Sequence, residues 1–491
     1  MKNNAIHRTA RVFTAGLLAV VLLLTVSCQL RNVEIHTNEF TRTEAVIPNP
    51  MKGFASFYGK ADQNSSMEYL GIKFNEIYRY ENGQGQLDSA ELDKKLAKIA
   101  ERGNSAILRV YILNPGHVDS EQTGLFLPGE LYSELKSAGD IYSNSVKSGV
   151  LEYPDFNSEK LIGCMTDFIV QFAGKYDGHP TIATIQMGLY GSWGEWNMSE
   201  CRVGKCQMTN ENLRRIIETY VSSFKKTKLM GRNPSLGYAN QFPIGYHDDN
   251  YMFNTSDFHT RSREWKNLLR KQDYSYGTLQ QFYDFINGDG GKYPPLWDIW
   301  QTQMFGGELS MQMYLEPFGP LWSGTEREAL DYCIHQFHMS WLMGVGVGGI
   351  PDADTDGYKE FRKVAGSFGY DIYIDSVTGK NCTSKIVTSF GNAGVAPFYY
   401  DWKPEYLMVD PEGSIVYTYT DEEFLLSALL PDETAESVFF IPDDLKAGEY
   451  SVQVRFVNPA EETSKKVLPL RLSNDHEIRE GIYELASVII E

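Results

Sequence analysis

The feature that most constrains the fold of this chain is a repeated alternation of short apolar segments with amphipathic helical segments. The segment Ser105–Leu113 is an apolar, β-branched run that predicts a strand, and Ser89–Arg102 predicts a helix before it. That helix has a serine cap, early acidic residues and late basic ones, and Gly103 stops it. Strands separated by helices pair in parallel, and eight such units predict a (β/α)₈ TIM-like barrel.

The predicted barrel strands can be placed along the sequence. They are Gly53–Gly59, a second ending at Ile77–Tyr80, Ser105–Leu113, Ile182–Met187, Lys228–Arg232, Gly245–Tyr251, Asp298–Glu308 and Trp341–Ile350. Further helices are predicted over Ser158–Tyr176, Thr209–Lys226 and Glu326–Phe337. A stretch rich in Gly, Ser and Pro after the third strand predicts a long loop to about Asn157.

The pattern changes after the barrel, which we assign to residues 45–366. From Tyr370 onward the sequence has short alternating strands and turns, so residues 367–491 predict a C-terminal all-β sandwich. Its segment NAGVAPFYYDW, which starts at Asn392, is rich in aromatic residues. We expect this segment to pack against the barrel; a sugar-binding face is the alternative.

The first 28 residues predict a targeting segment. A basic start precedes the apolar run Ala15–Val26, and LLLTVSC resembles the lipobox of bacterial lipoproteins, with Thr25 where that motif usually has Leu. The resemblance implies lipidation at Cys28, and residues 29–44 would then be a polar tether. Because Gln29 rather than Asp follows the cysteine, we expect the outer membrane of the cell envelope; an ordinary signal or a membrane anchor is the alternative.

Charge and cysteine content narrow the classes of partner. The formal net charge of −19 argues against nucleic acid as a partner. Cys201 and Cys206 enclose a short loop, and in an exported protein this spacing is consistent with a disulfide. No histidine lies at metal-binding spacing beside them, and no phosphate loop or dinucleotide fingerprint is present, so we expect no metal and no cofactor.

The stretch GLYGSWGEWN, Gly188–Asn197, is the leading candidate for a functional site. It follows the fourth predicted strand, and its glycines allow a sharp turn that presents Glu195 between Trp193 and Trp196. A carboxyl group can exchange a proton, and indole rings can stack on sugar rings. The alternative is a structural strand end with a paired glutamate and core tryptophans.

Other strand ends offer partners for Glu195. Glu308 ends the seventh predicted strand, and glycoside hydrolysis needs two carboxyl groups. We therefore expect Glu195 to be the acid and Glu308 the nucleophile, with Arg109 or Arg79 keeping the nucleophile ionised. The remaining candidates for substrate binding are Tyr190, Asp248, Asp249 and Trp300, together with the two tryptophans. Each of these aromatic residues has a core position as its alternative.

Several motifs together resemble a family of bacterial secreted proteins that join a glycoside hydrolase-like barrel to a C-terminal sandwich, two domains of unknown function. The motifs that carry the resemblance are NPMKGF, LRVYI, GLYGSWGEW, GYHDD, FGGE, FGYDI, NAGVAPFYYDW and AGEYSVQVRFV. The placement of Glu195 and Glu308 also resembles barrel-fold retaining glycosidases, whose acid ends strand four and whose nucleophile ends strand seven. In those enzymes an Asn usually precedes the acid, whereas Gly194 stands here.

The expectation is a lipid-anchored enzyme of the cell envelope that hydrolyses a glycan. The competing expectation is a glycan-binding lipoprotein that has the barrel without the chemistry, and the missing Asn favours it. In either case the partners are a glycan and, through Cys28, a membrane.

Overall fold

The computed structural model describes residues 32–61, 64–198, 201, 206–234, 236–251, 296–309, 324–343, 353–464 and 466–491. In chain order the strands are β1 Val33–Thr37, β2 Gly53–Phe57, β3 Met67–Lys73, β4 Tyr78–Glu81, β5 Gln84–Leu87, β6 Ser105–Tyr111, β7 Leu113–Val118, β8 Thr123–Leu125, β9 Ile141–Val146, β10 Gly149–Pro154, β11 Ile182–Gln186, β12 Leu229–Gly231, β13 Gly245–Tyr251, β14 Phe305–Leu309, β15 Trp341–Met343, β16 Ile372–Lys380, β17 Lys385–Asn392, β18 Pro404–Val409, β19 Ile415–Thr420, β20 Thr434–Phe440, β21 Gly448–Phe456, β22 Glu477–Arg479 and β23 Ile482–Ile490. The α-helices are α1 Phe74–Ile77, α2 Ala90–Glu101, α3 Gly129–Ala138, α4 Glu159–Tyr176, α5 Asn210–Ser223, α6 Leu296–Ile299, α7 Gly324–Gln336 and α8 Asp356–Ser367.

Eight of these strands close into a barrel in which each neighbouring pair is parallel. The order around the barrel is β2, β3, β6, β11, β12, β13, β14 and β15, and β15 pairs back to β2. Helices α2, α4, α5 and α7 follow the predicted positions within a few residues. The predicted (β/α)₈ TIM-like barrel is therefore confirmed.

The alternation of side chains along a strand decides what enters the barrel. In β6, Ala106, Leu108 and Val110 pack in the apolar layer between the strands and the helices, whereas Ile107 belongs to a second core inside the barrel. Because side chains alternate between the two faces of a strand, Arg109 points inward with Ile107. The same alternation in β14 places Glu308 on the face of Met304, which lies in the inner core.

The second predicted barrel strand is wrong. The barrel uses Met67–Lys73, and the segment around Ile77–Tyr80 instead forms β4, which pairs antiparallel with β5 in a hairpin outside the barrel. The hairpin turn is Asn82–Gly83, both with positive φ, of 51° and 74°. An Asn-Gly pair is a strong signal for a two-residue hairpin turn, and it outweighs the apolar pattern of the strand.

Two further predictions need correction. The expected long loop after the third strand contains the hairpins β7–β8 and β9–β10 with α3 between them. The predicted strand Asp298–Glu308 begins as α6 and becomes extended at Phe305. Of the predicted eighth strand, Trp341–Met343 is extended, and residues 344–350 lie outside the described residues.

The C-terminal region consists of two antiparallel sheets that share one apolar core. The larger sheet has the order β1, β23, β21, β18 and β19, with β22 beside β23, and the smaller has the order β16, β17 and β20. Strand β1 comes from the segment that was predicted to be a tether, so that prediction is wrong for Val33–Thr37. Its pairing with β23 ties the start of the described chain to its end.

The sandwich packs against the barrel end opposite to the strand C-termini. The inner core of the barrel, including Met67, Met230 and Trp341, is continuous with the core of the sandwich. The Tyr400 hydroxyl donates to the Ala183 carbonyl over 2.6 Å, and the Tyr399 hydroxyl donates to the Trp300 carbonyl over 2.8 Å. The prediction that NAGVAPFYYDW is an interface segment is therefore confirmed.

Candidate active site at the barrel mouth

Polar side chains converge at the C-terminal ends of the barrel strands, where barrels of this fold carry their sites. They come from β6, from β11 and the turn after it, from the end of β12, and from β13. We call these seven residues the mouth cluster: Arg109, Gln186, Glu195, Arg232, His247, Asp248 and Asp249.

The turn Gly188–Asn197 is shaped by positions that exclude side chains. Gly191 and Gly194 have positive φ values of 89° and 71°. A Cβ at Gly194 would overlap the Gly188 carbonyl oxygen, and a Cβ at Gly188 would overlap the Arg109 side chain. The Trp193 amide donates to the Leu113 carbonyl over 2.9 Å, so the hairpin after β6 holds the turn. Glu195 is therefore delivered close to Arg109 by a turn that excludes a Cβ at residues 188, 191 and 194.

Arg109 is the centre of the mouth cluster, and its side chain is 4% exposed. Its guanidinium donates to the Gln186 side chain over 2.6 Å, to the Asp249 carboxylate over 2.7 Å and to the Trp193 carbonyl over 3.2 Å. It also lies 3.4 Å from the Glu195 carboxyl. One fixed cation thus bridges a carboxylate from β13 and the carboxyl from the central turn.

His247 and Asp249 form a second contact within the cluster. His247 Nδ1 lies 2.9 Å from Asp249 Oδ1 and 3.3 Å from an Arg109 nitrogen. Because a guanidinium can only donate, Nδ1 cannot bond to both partners, and the shorter distance assigns its proton to Asp249. Burial lowers the pKa of His247 to about 4, so the imidazole is neutral at pH 7.

The two carboxyl groups near Arg109 differ in protonation. Burial, followed by the neighbouring Asp249 carboxylate, raises the pKa of Glu195 to about 8, while Arg109 and Arg232 oppose the shift. Burial also acts to raise the pKa of Asp249, but Arg109, His247 and Arg232 outweigh it and hold that pKa well below its usual range. At neutral pH Glu195 therefore carries a proton and Asp249 is ionised.

Arg232, at the end of β12, extends the cluster toward β13. Its guanidinium lies 3.0 Å from Asp248 and 3.8 Å from Asp249. The Asp248 side chain is 1% exposed, so this carboxylate is enclosed with its cation. We conclude that Asp248 neutralises Arg232 rather than facing solvent.

Glu308 lies in β14, the seventh barrel strand, and is half-buried. Its proximity to the cluster follows from Tyr69, which is partly buried and packs against Arg109. Burial raises the pKa of Tyr69, Arg109 opposes this, and Asp249, Glu195 and Glu308 add to the rise. These three carboxyl groups therefore lie within electrostatic range of one side chain at the barrel mouth.

Three of the aromatic candidates have other environments. Trp196 is 3% exposed and donates to the Met187 carbonyl over 2.6 Å, and Tyr190 is buried against Phe156. Trp300 stacks on His338 with ring centroids 3.6 Å apart, at the end of the barrel that faces the sandwich. Trp196 and Tyr190 thus occupy the core positions that were the alternative to sugar binding, and Trp300 lies away from the mouth, whereas Trp193 is half-buried in the turn beside Arg109.

Arg79 is also outside the mouth cluster. It lies on β4 in the external hairpin, where it pairs with Asp88, and its side chain is 65% exposed. The prediction failed because it depended on the wrong second strand. Of the two arginines, only Arg109 reaches the carboxyl groups.

The mouth contains residues that the sequence patterns did not predict. Gln186 is the last residue of β11 and Arg232 directly follows β12, so polar residues at strand ends were the available signal. Phe57 ends β2, is 37% exposed, and contacts Tyr69 edge-on at 6.2 Å between ring centroids. Tyr69 in turn packs beneath Arg109, whose guanidinium carbon lies 5.3 Å from its ring centroid. An exposed aromatic ring therefore adjoins the charged cluster.

The predictions about Cys28 and about the Cys201–Cys206 loop depend on residues outside the described ranges. Cys28 lies outside the described residues, and so do residues 202–205 between Cys201 and Cys206, so the lipidation and the disulfide stay predictions. Within the described ranges, no helix combines the length and apolar character needed to span a bilayer. No group of three or more potential metal ligands occurs among those residues.

Comparison with known proteins adds weak similarities. No protein-family model and no curated protein matches the chain. Among solved structures, endo-glycoceramidase II from Rhodococcus sp., in its ganglioside GM3 complex, is 10% identical with a TM-score of 0.40, covering 92% of this chain and 99% of that chain. The catalytic domain of β-amylase from Paenibacillus polymyxa is 10% identical with a TM-score of 0.37, covering 64% and 98%. The α-galactosidase from Saccharomyces cerevisiae with raffinose is 9% identical with a TM-score of 0.28, covering 90% and 98%.

Proposed function

We propose that this protein hydrolyses glycosidic bonds, with Glu195 as the general acid. The observation that carries the proposal is the largely enclosed Glu195 carboxyl group, held beside Arg109 at the mouth of a closed barrel. A general acid must carry its proton at the working pH, and the raised pKa of Glu195 provides this. The Glu195 side chain is 21% exposed, so its proton is accessible to a ligand in the mouth.

Glu308 is the proposed nucleophile. It enters the mouth from the seventh strand, while Glu195 follows the fourth, so the two approach from different sides of the opening. Asp249 is less suited to attack a substrate, because its oxygens already accept from Arg109 and His247 and its side chain is only 6% exposed. Retention of configuration requires carboxyl groups about 5–5.5 Å apart, and we propose that spacing for Glu195 and Glu308.

The proposed reaction has two steps. Glu195 gives its proton to the glycosidic oxygen as the bond to the anomeric carbon breaks, and a Glu308 oxygen forms a bond to that carbon. The leaving sugar departs as an alcohol. Ionised Glu195 then takes a proton from water, whose oxygen displaces Glu308 from the anomeric carbon, so that both carboxyl groups return to their starting states.

The glycine before the acid has a structural reason. Retaining barrel glycosidases usually have Asn at this position, but here a Cβ at residue 194 would overlap the Gly188 carbonyl, and φ is 71°. No side chain fits there without remodelling the turn. Any hydrogen bond that the Asn supplies must come from another residue, and this favours the second candidate function, a glycan-binding protein without turnover.

Leaving-group chemistry provides the test for the enzyme. We expect wild-type protein to cleave members of an aryl glycoside and polysaccharide panel, and Glu195→Gln to lower turnover of poor leaving groups by about 10²–10⁴-fold. Dinitrophenolate needs no protonation, so the first step on a dinitrophenyl glycoside should survive in Glu195→Gln and be lost in Glu308→Gln. Glu218→Gln, on the outer face of α5, is the matched control.

The outcomes separate the two functions. Binding to the panel without turnover would establish the binding protein, and neither binding nor turnover would rule out both. Full activity in Glu195→Gln would exclude Glu195 as the acid.

The cellular context is part of the proposal. We propose that the protein is exported and lipid-anchored at Cys28, with the outer membrane as its location, in agreement with the lipobox-like sequence. Cys28→Ala should release the protein into soluble fractions or leave the precursor uncleaved. Unchanged processing and membrane association would exclude Cys28 as the anchor.

A further inference from the structure

Asp249 is enclosed by donors at the centre of the mouth cluster. Its Oδ2 accepts from Arg109 over 2.7 Å, its Oδ1 accepts from His247 over 2.9 Å, and its side chain is 6% exposed. Arg109 lies at the same time 3.4 Å from Glu195. Asp249 is thus a fixed anion beside a carboxyl group that shares one of its cations.

We propose that Asp249 is a positioning residue that keeps Glu195 in its proton-bearing form. Its negative charge opposes ionisation of Glu195, because both side chains lie against the same guanidinium, Asp249 at 2.7 Å and Glu195 at 3.4 Å from Arg109. The inference deepens the proposed function and depends on it only for the catalytic consequence. The protonation of Glu195 can be measured without any turnover.

The other charged and titratable groups around Glu195 decide whether the Asp249 carboxylate is sufficient to keep Glu195 protonated. Arg109 from β6 and Arg232 after β12 both favour an ionised Glu195. Each cation is, however, committed to a closer carboxylate, at 2.7 Å for Arg109 and 3.0 Å for Arg232. His247 from β13 is neutral, and Tyr69 from β3 stays protonated. Glu308 from β14 adds a further carboxyl group to the mouth.

Glu195 and Asp249 have different roles although both are carboxyl groups: Glu195 carries the proton and Asp249 stays ionised. Asp249 already accepts from an arginine and a histidine and therefore does not readily take up a proton, so a proton bound by either carboxyl group resides on Glu195. The exposed fractions agree with this division, because Asp249 is enclosed while Glu195 reaches the opening. After each proton transfer, the same anion would favour the return of a proton to Glu195.

Infrared difference spectroscopy across a pH series tests the inference directly. The carbonyl stretch of a protonated carboxyl group that disappears in Glu195→Gln belongs to Glu195. In wild-type protein this band should titrate near pH 8, the pKa to which burial and Asp249 raise Glu195. In Asp249→Asn it should titrate at least about one pH unit lower, because the neighbouring negative charge is gone.

Asp248→Asn is the matched control. Asp248 precedes Asp249 in the chain and pairs with Arg232 rather than with Arg109, so we expect a smaller shift of the Glu195 band. Equal shifts in the two variants would overturn the specific role of Asp249. If Asp249→Asn does not fold, the wild-type titration still decides, because titration of Glu195 below about pH 5, close to an unperturbed carboxyl, would also overturn it.

Activity provides a separate reading. If glycosides are cleaved, the alkaline limb of kcat/KM should move to lower pH in Asp249→Asn, whereas a purely structural defect would lower the whole profile without moving it. If no glycoside is cleaved but the infrared titration shifts as expected, the proposed function fails and the role of Asp249 stands. If glycosides are cleaved but the infrared titration does not shift, the proposed function stands and the role of Asp249 fails.

Discussion

The two ends of the barrel are built from the same eight strands but are filled in opposite ways. The end that faces the sandwich is packed with apolar side chains such as Met67, Met230 and Trp341, in a core shared by both regions. The mouth holds Arg109, Asp249 and their partners, which are almost as well enclosed. The comparison shows that burial alone does not define a stabilising core, because at the mouth each enclosed charge depends on another.

The largest expected effect is at the apolar end. Trp341→Ala should destabilise the protein by about 3–5 kcal/mol, because Trp341 is fully buried and its removal leaves a cavity. The loss of stability should depend little on pH, because neither tryptophan nor alanine carries a titratable side chain. Chemical denaturation measures it, and Phe440→Ala, at a side chain that is 60% exposed, is the control. A pH-dependent loss of stability would contradict the conclusion that the two ends of the barrel are stabilised in different ways.

Removing Arg109, the central cation of the mouth, should lower the free energy of unfolding by a similar or slightly smaller amount. Arg109→Met leaves Asp249 enclosed with only His247 and Arg232, and breaking a buried pair costs about 3 kcal/mol. The depressed pKa of Asp249 contributes stability that is present above its ordinary pKa of 3.8 and is lost as pH falls. The difference from wild type should therefore be largest above about pH 4 and shrink in more acidic solution.

The control for Arg109→Met is an ion pair of the sandwich. Arg455 pairs with Glu405 and Glu461 and is 28% exposed, so Arg455→Met should cost at most about 1 kcal/mol. Equal losses at the two arginines would show that the mouth cluster is no more interdependent than a surface pair.

The raised pKa of Glu195 predicts a separate dependence of protein stability on pH. A carboxyl group whose pKa is raised from 4.5 to about 8 binds more protons in the folded state, so its contribution to stability falls as pH rises through this window. His247, with its pKa lowered to about 4, contributes the opposite slope between about pH 4 and 6.5. The difference in Tm between wild type and Glu195→Gln, measured from pH 5 to 8, isolates Glu195. A flat difference would contradict the proposed protonation.

The smallest expected effect on stability is at the rim of the mouth. Phe57 is partly exposed beside Tyr69, so Phe57→Ala should change the free energy of unfolding by less than about 1 kcal/mol. If the ring stacks on a sugar, affinity for the glycan identified on the panel should fall by up to about tenfold. Titration calorimetry with Glu195→Gln as the background avoids turnover, and Phe440→Ala again serves as the control. Unchanged affinity would exclude Phe57 from the binding site.

Local sequence signals predicted much of this molecule. The alternation of strands and helices predicted the barrel, and counting strands placed Glu195 after the fourth and Glu308 in the seventh. The second strand was misplaced because apolar periodicity is similar in Met67–Lys73 and Tyr78–Glu81. The Asn82–Gly83 turn was the local signal that distinguishes them.

The sequence by itself determined the fold class and which carboxyl groups reach the barrel mouth, because strand periodicity and glycine turns are local properties. Only the tertiary structure decided which aromatic residues are core, which arginine enters the cluster, and which carboxyl group carries the proton. Trp193 and Trp196 are three residues apart, yet one lies beside Arg109 and the other is enclosed against Met187. Burial and charge pairing depend on residues distant in the chain, as Arg109, Glu195 and Asp249 show.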